Sequence, residues 1–139
     1  LEEEADVYEL LDLGIGKCRF SVAGKKGAWI DPEKTLRVAT KFPNIARAHF
    51  DRKNREIEII KLNGSIELGP MVGLSELIVD IVETGRTLKE NKLVEVDSIY
   101  TATARLIANR VSFKLKFDRL DKLVRDLRKV LDEEEEQCK

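Results

Sequence analysis

Histidine and cysteine are scarce in this sequence of 139 residues. His49 is the only histidine, which leaves zinc clusters and serine or cysteine triads short of a partner for their chemistry. The two cysteines, Cys18 and Cys138, have no metal-type spacing. Because no export signal accompanies them, we expect two reduced thiols rather than a disulfide.

Long apolar runs and an excess of one charge are also missing. No apolar run approaches the roughly 20 residues that span a bilayer, and the opening LEEEADVYELL is acidic rather than a basic signal sequence. Lys and Arg total 25 against 26 Asp and Glu, a net charge of −1, which argues against a nucleic-acid binder but allows a local cationic pocket. We therefore expect a cytoplasmic protein that binds neither membrane nor nucleic acid.

The patterns that are present alternate between the strand type and the helix type. Alternating or β-branched runs predict strands at residues 17–24, 36–40, 56–62 and 77–82, and one or two further strands within residues 93–110. Helical spacing predicts helices at residues 5–14, 43–54 and 117–137, with short helices after NGS and after ETGR and a loop at residues 25–34. Strands alternating with helices indicate an α/β fold with a largely parallel sheet covered by helices.

The last of these helices is strongly amphipathic. Its apolar stripe consists of Leu120, Leu123, Val124, Leu127, Val130 and Leu131. The acidic run DEEEE that follows, residues 132–136, is typical of a solvated helix end, although it would also suit a partner-binding tail.

The stretch DIVETGRTLKEN, residues 80–91, leads from the apolar run at 77–82 into a short helix. In open α/β sheets, ligands bind beyond the carboxyl ends of strands, where loops enter helices. The spacing of Thr87 and Glu90 fits a capping box with Thr87 as N-cap, so the turn could serve only to start the helix.

The composition of the same turn also suits a phosphate dianion. Gly85 permits a backbone geometry in which successive N–H groups point inward as an anion-binding nest. Thr84 and Thr87 add hydroxyl donors, Arg86 adds a cation, and a helix N-terminus adds partial positive charge. The glycine spacing and the missing lysine exclude a P-loop.

Two acidic residues flank this turn. Asp80 and Glu83 would repel a phosphate that they faced directly. A carboxylate does accept hydrogen bonds from the hydroxyls of a ribose, so the pair is consistent with a polyol beside the phosphate. The sequence therefore predicts a site for a phosphorylated sugar.

Three segments together resemble a known family. LNGSIELGPMVGLSELIVDIVETGRTLKENKLVEV, with RVATKFPN before it and ARLIANRVSFK after it, is similar to the ATP phosphoribosyltransferases of histidine biosynthesis, over residues 13–114. The resemblance implies a two-lobed fold like that of the type II periplasmic binding proteins. It also implies a magnesium-dependent reaction in which N1 of ATP displaces pyrophosphate from C1 of phosphoribosyl pyrophosphate.

The resemblance assigns roles to the turn and its neighbours. Residues of ETGRT would hold the 5′-phosphate: Glu83, Thr84, Gly85, Arg86 and Thr87. Asp80 and Glu67 would accept hydrogen bonds from the ribose hydroxyls, with Glu67 also in reach of magnesium-bound waters. Further cleft-lining residues would be Gly64, Ser65, Thr40 and Lys41. For Ser65 and Glu67 a plain N-cap and first-turn acid is the alternative, and for Lys41 a solvated surface position.

The family's first lobe and its KGR-type and Gly-Thr-Asp segments are not found in this sequence. We expect residues 1–19 to be the end of the first lobe and the crossover, residues 20–101 the second lobe with the sugar-phosphate turn, and residues 102–139 the return to the first lobe with the C-terminal helix. The ending matches the short form, which works as a homo-oligomer with a synthetase-like regulatory subunit. An incomplete active site is therefore expected of these residues alone.

No general base or metal ligand set stands out in the sequence. Adenine N1 needs little activation, so the expected catalysis is positioning and charge stabilisation. Two alternatives remain beside the enzyme: a non-catalytic lobe that binds a sugar phosphate, and an interaction domain that works through the terminal helix. Another phosphoribosyltransferase is a further alternative, although the purine-salvage type pairs two adjacent acids before its Thr-Gly-x-Thr loop.

Overall fold

The computed structural model describes residues 2–27, 31 and 34–137, and side chains up to residue 133. The chain forms two compact units. The larger unit comprises Leu1–Glu3 and Cys18–Thr101, and the smaller unit comprises Glu4–Lys17 and Ala102–Lys139. The assignment of residues 1–19, 20–101 and 102–139 to lobes of a longer protein stays a prediction.

Seven strands and five helices follow one another in the described part of the chain. In order they are β1 (Val7–Asp12), β2 (Cys18–Lys25), β3 (Leu36–Thr40), α1 (Pro43–Arg52), β4 (Ile57–Lys61), α2 (Leu68–Met71), β5 (Leu77–Val82), α3 (Arg86–Glu90), β6 (Leu93–Ala102), β7 (Arg105–Asn109), α4 (Arg110–Leu115) and α5 (Phe117–Gln137). The strands predicted at 17–24, 36–40, 56–62 and 77–82 are thereby confirmed, and residues 93–110 form two strands. Part of the loop predicted at 25–34 and the thiol of Cys138 lie outside the described residues.

The larger unit is built on a five-stranded sheet of order β4-β3-β5-β2-β6. Strand β3 pairs in parallel with β4 and with β5, as in the expected parallel sheet. Strand β2 runs antiparallel to β5, with Arg19 opposite Val82 and Gly24 opposite Leu77, so the sheet is mixed. The carboxyl ends of β3 and β5 point the same way, which places the segments after Thr40 and after Val82 at one edge.

Apolar residues on both faces of this sheet form the core. Because side chains of a strand alternate between faces, Val38 and Ala39 of β3 pack on opposite sides. One cluster joins β3 to α1 and consists of Val22, Leu36, Val38, Ala46, Phe50, Leu77 and Val79. The other consists of Ala23, Ala39, Ile66, Ile78, Val82, Leu88 and Leu93. The larger unit is therefore a helix–sheet–helix sandwich, and the expected α/β layering is confirmed.

The smaller unit contains the antiparallel pair β1–β7, where a helix was predicted at residues 5–14. That prediction is wrong. The pairing register with β7 shifts between Glu9 and Leu11, the mark of a β-bulge. The consecutive Leu10 and Leu11 break the strict alternation that would have indicated a strand, and their spacing from Val7 imitates a helix.

Helices α4 and α5 complete the smaller unit. Asn109 caps α4 by accepting hydrogen bonds from the amides of Val111 at 2.9 Å and Ser112 at 3.3 Å. Helix α5 confirms the predicted terminal helix. No residue of its apolar stripe is buried, and the side chain of Leu123 is 45% exposed. None of the described helices is long and apolar enough to cross a membrane.

Candidate functional site

A cavity of about 260 Å³ lies in the larger unit where β5 gives way to α3. Its lining consists of Glu67, Asp80, Ile81, Val82, Glu83, Thr84, Gly85, Arg86, Thr87 and Leu88. The fold thus brings together all five residues of the ETGRT turn with the two acids, Asp80 and Glu67, that were predicted to bind the ribose. Glu67 comes from the segment before α2, so two separate stretches of sequence meet here.

The backbone of the turn changes hand at Gly85. This residue has φ +75° and ψ 7°, in the left-handed region, and α3 begins at the next residue. A left-handed residue followed by right-handed ones turns consecutive N–H groups toward a common point, which is the geometry of an anion-binding nest. A Cβ at Gly85 would touch only Val82, at 3.9 Å, so glycine is needed here for its conformation and not for space.

Thr87 is not the N-cap of α3. Gly85 occupies that position, no side chain caps the helix, and Thr87 lies within its first turn. The hydroxyl of Thr84 accepts only a long hydrogen bond from the amide of Arg86, at 3.4 Å. Among the described residues, no hydrogen bond engages the side chains of Arg86 and Thr87. These donors are therefore available to a ligand.

The carboxyl group of Asp80 is partly buried in the wall of the cavity. Burial raises the pKa of its carboxyl group, and the nearby charge of Glu67 adds to that rise. The amide of Ile81, which donates to the carboxylate at 2.8 Å, and the charge of Lys41 act in the opposite direction without outweighing the burial. A half-buried acid beside a second acid is poised to accept hydrogen bonds from an incoming group.

Gly64 and Ser65, predicted to line the cleft, are exposed and do not border this cavity. Ser65 adopts φ +52°, a left-handed conformation that is uncommon for a residue with a side chain and that recurs at functional sites. The N-cap of α2 is Glu67 and no side chain caps this helix, so the alternative of Ser65 as N-cap is wrong. A role of either residue in binding stays a prediction.

Thr40 lies behind the site and not on its surface. It is fully buried, its hydroxyl donates to the carbonyl of Val79 at 2.7 Å, and it accepts from the amide of Phe42 at 2.8 Å. With both functions of the hydroxyl engaged, Thr40 ties the ends of β3 and β5 together. The expectation that it lines the cleft is corrected accordingly. Lys41 is exposed and close enough to Asp80 to lower its pKa.

The N-terminus of α1, which follows Lys41, is occupied by an acid from elsewhere in the larger unit. The carboxylate of Glu2 accepts hydrogen bonds from the amides of Asn44 and Ile45, both at 3.0 Å. A carboxylate at this position satisfies free N–H groups and complements the helix dipole. These two donors are thus used by the chain itself.

Sequence reasoning missed a polar cluster that touches the turn. Arg19 of β2 donates to both carboxylate oxygens of Glu95 of β6, and to the main-chain carbonyl of Glu83 at 3.2 Å. Ser21, which is buried, also donates to Glu95, at 2.8 Å. The available signal was an arginine and a glutamate inside predicted strands. Their separation along the chain concealed the pairing.

A family model described as HisG: ATP phosphoribosyltransferase matches residues 1–129. This chain belongs to the ATP phosphoribosyltransferase family. An ATP phosphoribosyltransferase of Clostridioides difficile (strain 630) is 56% identical over 126 residues, which are 90% of this chain and 61% of that protein. One from Geobacillus sp. (strain WCH70) is 54% identical over 131 residues, covering 94% and 63%. The chain therefore spans about three fifths of the length of these relatives.

Solved structures agree with this family assignment. The ATP phosphoribosyl transferase (HisG:HisZ) complex from Thermotoga maritima superposes with a TM-score of 0.84 at 39% identity, over 95% of this chain and 65% of that one. The arginine-binding protein of the same organism, in its holo form, reaches 0.60 at 14% identity, over 93% and 57%, a likeness of fold alone. The resemblance and the expected binding-protein-like fold are both confirmed.

Proposed function

We propose that the protein to which this chain belongs is an ATP phosphoribosyltransferase that carries out the first step of histidine biosynthesis. In that reaction a bond forms between N1 of ATP and C1 of phosphoribosyl pyrophosphate, and the bond from C1 to the diphosphate oxygen breaks, with its electron pair leaving on pyrophosphate. One observation carries the proposal. In a member of this family, the seven residues expected to bind the sugar phosphate border one cavity.

The ETGRT turn is the proposed binding site of the 5′-phosphate. The left-handed conformation of Gly85 supports an inward-facing set of amides. Thr84, Arg86 and Thr87 offer donors that the described residues leave without a strong partner, and hydrogen bonds to a charged phosphate are the stronger kind. Arg86 also faces a second shallow cavity beside the turn, with Thr84, Lys89 and Glu90.

Asp80 and Glu67 are the proposed acceptors for the ribose hydroxyls. Their carboxylates are near enough for the charge of Glu67 to raise the pKa of Asp80. Ribose hydroxyl groups that donate hydrogen bonds to the two carboxylates would stabilise their negative charges and favour their ionised forms. The acids would then discriminate a sugar phosphate from free phosphate, which carries no such donors.

Magnesium also belongs to the proposal. Among the described residues, no group of three or more acids, cysteines or histidines is arranged to hold a metal. Mg²⁺ does not require such a group, because it keeps several waters and binds through one or two carboxylates together with substrate phosphates. Glu67 is the residue that would hold its waters. When bound, magnesium would neutralise charge developing on the departing pyrophosphate.

The chain's own contribution to the reaction is then positioning. The turn anchors the phosphate end of the sugar and the two acids fix the ribose, so that C1 is presented to the incoming nucleotide in one orientation. No residue is assigned as general base, because adenine N1 carries a free electron pair. The part of the relatives that this chain does not span is the proposed source of the remaining contacts.

We further propose a homo-oligomer that works with a regulatory subunit. The T. maritima relative is named as a HisG:HisZ complex, which supports such a partner. The substrates would be ATP and phosphoribosyl pyrophosphate, and the location cytoplasmic.

The test of the site compares two glycines with the same backbone angle. Gly85 and Gly73 both have φ +75°, and a Cβ at Gly73 would meet nothing within 4 Å. Valine at either position is strained in the left-handed region, but only Gly85→Val disturbs the proposed phosphate site. By isothermal titration of the full-length protein with phosphoribosyl pyrophosphate, we expect Gly85→Val to bind on the order of 100-fold more weakly, and Gly73→Val to bind as the unaltered protein does.

Equal affinity of the two variants would remove the turn from the phosphate site. Turnover is read in parallel as pyrophosphate release on mixing ATP with phosphoribosyl pyrophosphate. Tight binding without release would favour the non-catalytic sugar-phosphate lobe over the enzyme.

A further inference from the structure

Three side chains form a polar cluster beside the ETGRT turn: Arg19, Ser21 and Glu95. The guanidinium of Arg19 grips the carboxylate of Glu95 with two nitrogens, Nε at 2.9 and 3.0 Å and Nη2 at 2.7 Å. The hydroxyl of Ser21 donates to the same carboxylate at 2.8 Å. This fork is the strong, geometrically specific form of an arginine–carboxylate pair. The orientation of Arg19 is therefore fixed by two neighbouring strands, β2 and β6.

The remaining nitrogen of Arg19, Nη1, reaches the turn. It donates to the main-chain carbonyl of Glu83 at 3.2 Å. The β2–β5 pairing reaches Val82, opposite Arg19, and Glu83 is the next residue along the chain. The hydrogen bond from Arg19 thus holds the backbone at Glu83, one residue after the last paired residue of β5.

Holding this carbonyl also orients the following amide. A trans peptide unit is planar, so the N–H of Thr84 points away from the carbonyl of Glu83. Once Arg19 fixes the carbonyl, the N–H of Thr84 can no longer rotate freely. Gly85, in its left-handed conformation, comes immediately afterwards.

We propose that Arg19 is a positioning residue for the phosphate-binding turn, held in place by Glu95 and Ser21. The inference rests on the proposed function in so far as the turn binds the phosphate of phosphoribosyl pyrophosphate. Its proposed contact is to the main chain of the turn and not to substrate. It acts by ordering the turn before the ligand arrives, which reduces the entropy lost on binding.

The chain offers a matched control in the same sheet. Arg37 of β3 forms a forked pair with Glu76, through Nε at 3.1 and 3.3 Å and through Nη2. The two arginines are similarly exposed, at 36% for Arg19 and 41% for Arg37. Arg37 makes no hydrogen bond to the turn among the described residues. Replacing either arginine removes a comparable ion pair with a glutamate. Only Arg19 also donates to the carbonyl of Glu83.

The experiment uses the full-length protein with Arg19→Met, Arg19→Lys and the control Arg37→Met. Hydrogen–deuterium exchange without ligand measures the amides of residues 84–87, and isothermal titration measures binding of phosphoribosyl pyrophosphate. For Arg19→Met we expect faster exchange confined to the turn and affinity about tenfold weaker, the scale of one charge-assisted hydrogen bond. Arg19→Lys should recover part of both, because an ammonium can still donate to the carbonyl. Arg37→Met should change neither.

Equal behaviour of Arg19→Met and Arg37→Met in both measurements would overturn the proposal. If Arg19→Met does not fold, Glu95→Gln takes its place, since it loosens the fork while preserving size. Unchanged exchange and affinity in that variant would also overturn the proposal. If the unaltered protein does not bind phosphoribosyl pyrophosphate, the proposed function fails, and exchange at residues 84–87 still decides whether Arg19 orders the turn.

Discussion

The two units of this chain bury their apolar residues to very different extents. Among the described residues, every buried apolar side chain except that of Ala108 lies in the larger unit. Yet the smaller unit contains α5, which has a more strongly amphipathic sequence than α1. An apolar stripe thus shows which face of a helix favours burial. Whether that face is buried depends on a partner surface, which the strands of the sheet provide for α1.

The largest expected effect tests this contrast with two phenylalanines. Phe50 of α1 is 6% exposed and Phe117 of α5 is 51% exposed. We expect Phe50→Ala to lower the free energy of unfolding by about 3–5 kcal/mol, because it removes a ring from a packed core and leaves a cavity. Phe117→Ala should cost no more than about 1 kcal/mol, the scale of its edge contact with Phe113. Urea denaturation followed by circular dichroism measures both, and equal losses would contradict the contrast.

The same contrast explains which elements could be predicted from the sequence. Strands β3 and β5 and helix α1 have patterns that match their final surroundings, so their positions are evident without a structure. Strand β1 does not, because its consecutive Leu10 and Leu11 break the alternation of a strand at the place where the bulge lies. A bulge depends on the partner strand β7, which lies far along the chain. Local spacing cannot reveal it.

The candidate site divides along the same line. The residues of the turn were identifiable because the donors of a phosphate site, together with its glycine, occupy consecutive positions in the sequence. The prediction of Thr87 as N-cap was wrong, because Gly85 occupies that position in a left-handed conformation and α3 begins at Arg86. Arg19 was missed because its role depends on Glu95, 76 positions away. Thr40 was placed on the cleft surface, although its burial follows from the pairing of β3 with β5.

A second, smaller effect compares one aspartate from each unit. In the larger unit, burial raises the pKa of Asp80. In the smaller unit, the pKa of Asp12 is lowered, first by its hydrogen bond from the amide of Gly14 and then by the one from Thr103. The two carboxylates therefore make opposite contributions to stability at neutral pH.

We expect Asp80→Asn to raise the free energy of unfolding at pH 7, because a neutral amide avoids the cost of burying a charge. A raised folded pKa means that the penalty is absent below the unfolded pKa, about 3.9, develops as pH rises from the unfolded to the folded pKa, and is complete above the folded pKa. The gain should therefore fade on acidification. Asp12→Asn should lower stability at pH 7, with the loss fading as pH drops below about 4. Urea titrations at pH 7 and at low pH measure both, and a stabilising Asp12→Asn would contradict the assignment.

The smallest effect on stability is expected from the stripe of α5. Leu123→Ser replaces an exposed apolar residue, so the free energy of unfolding should change by no more than about 0.5 kcal/mol. Ile45→Ser, at 7% exposure on α1, is the matched change in the larger unit and should cost several times more.

An exposed apolar stripe also favours association. Sedimentation of the 139-residue chain should therefore show self-association that Leu123→Ser weakens. A loss of stability as large as that of Ile45→Ser would mean that the stripe of α5 is covered after all, and that burial in the two units differs less than their side-chain exposures indicate.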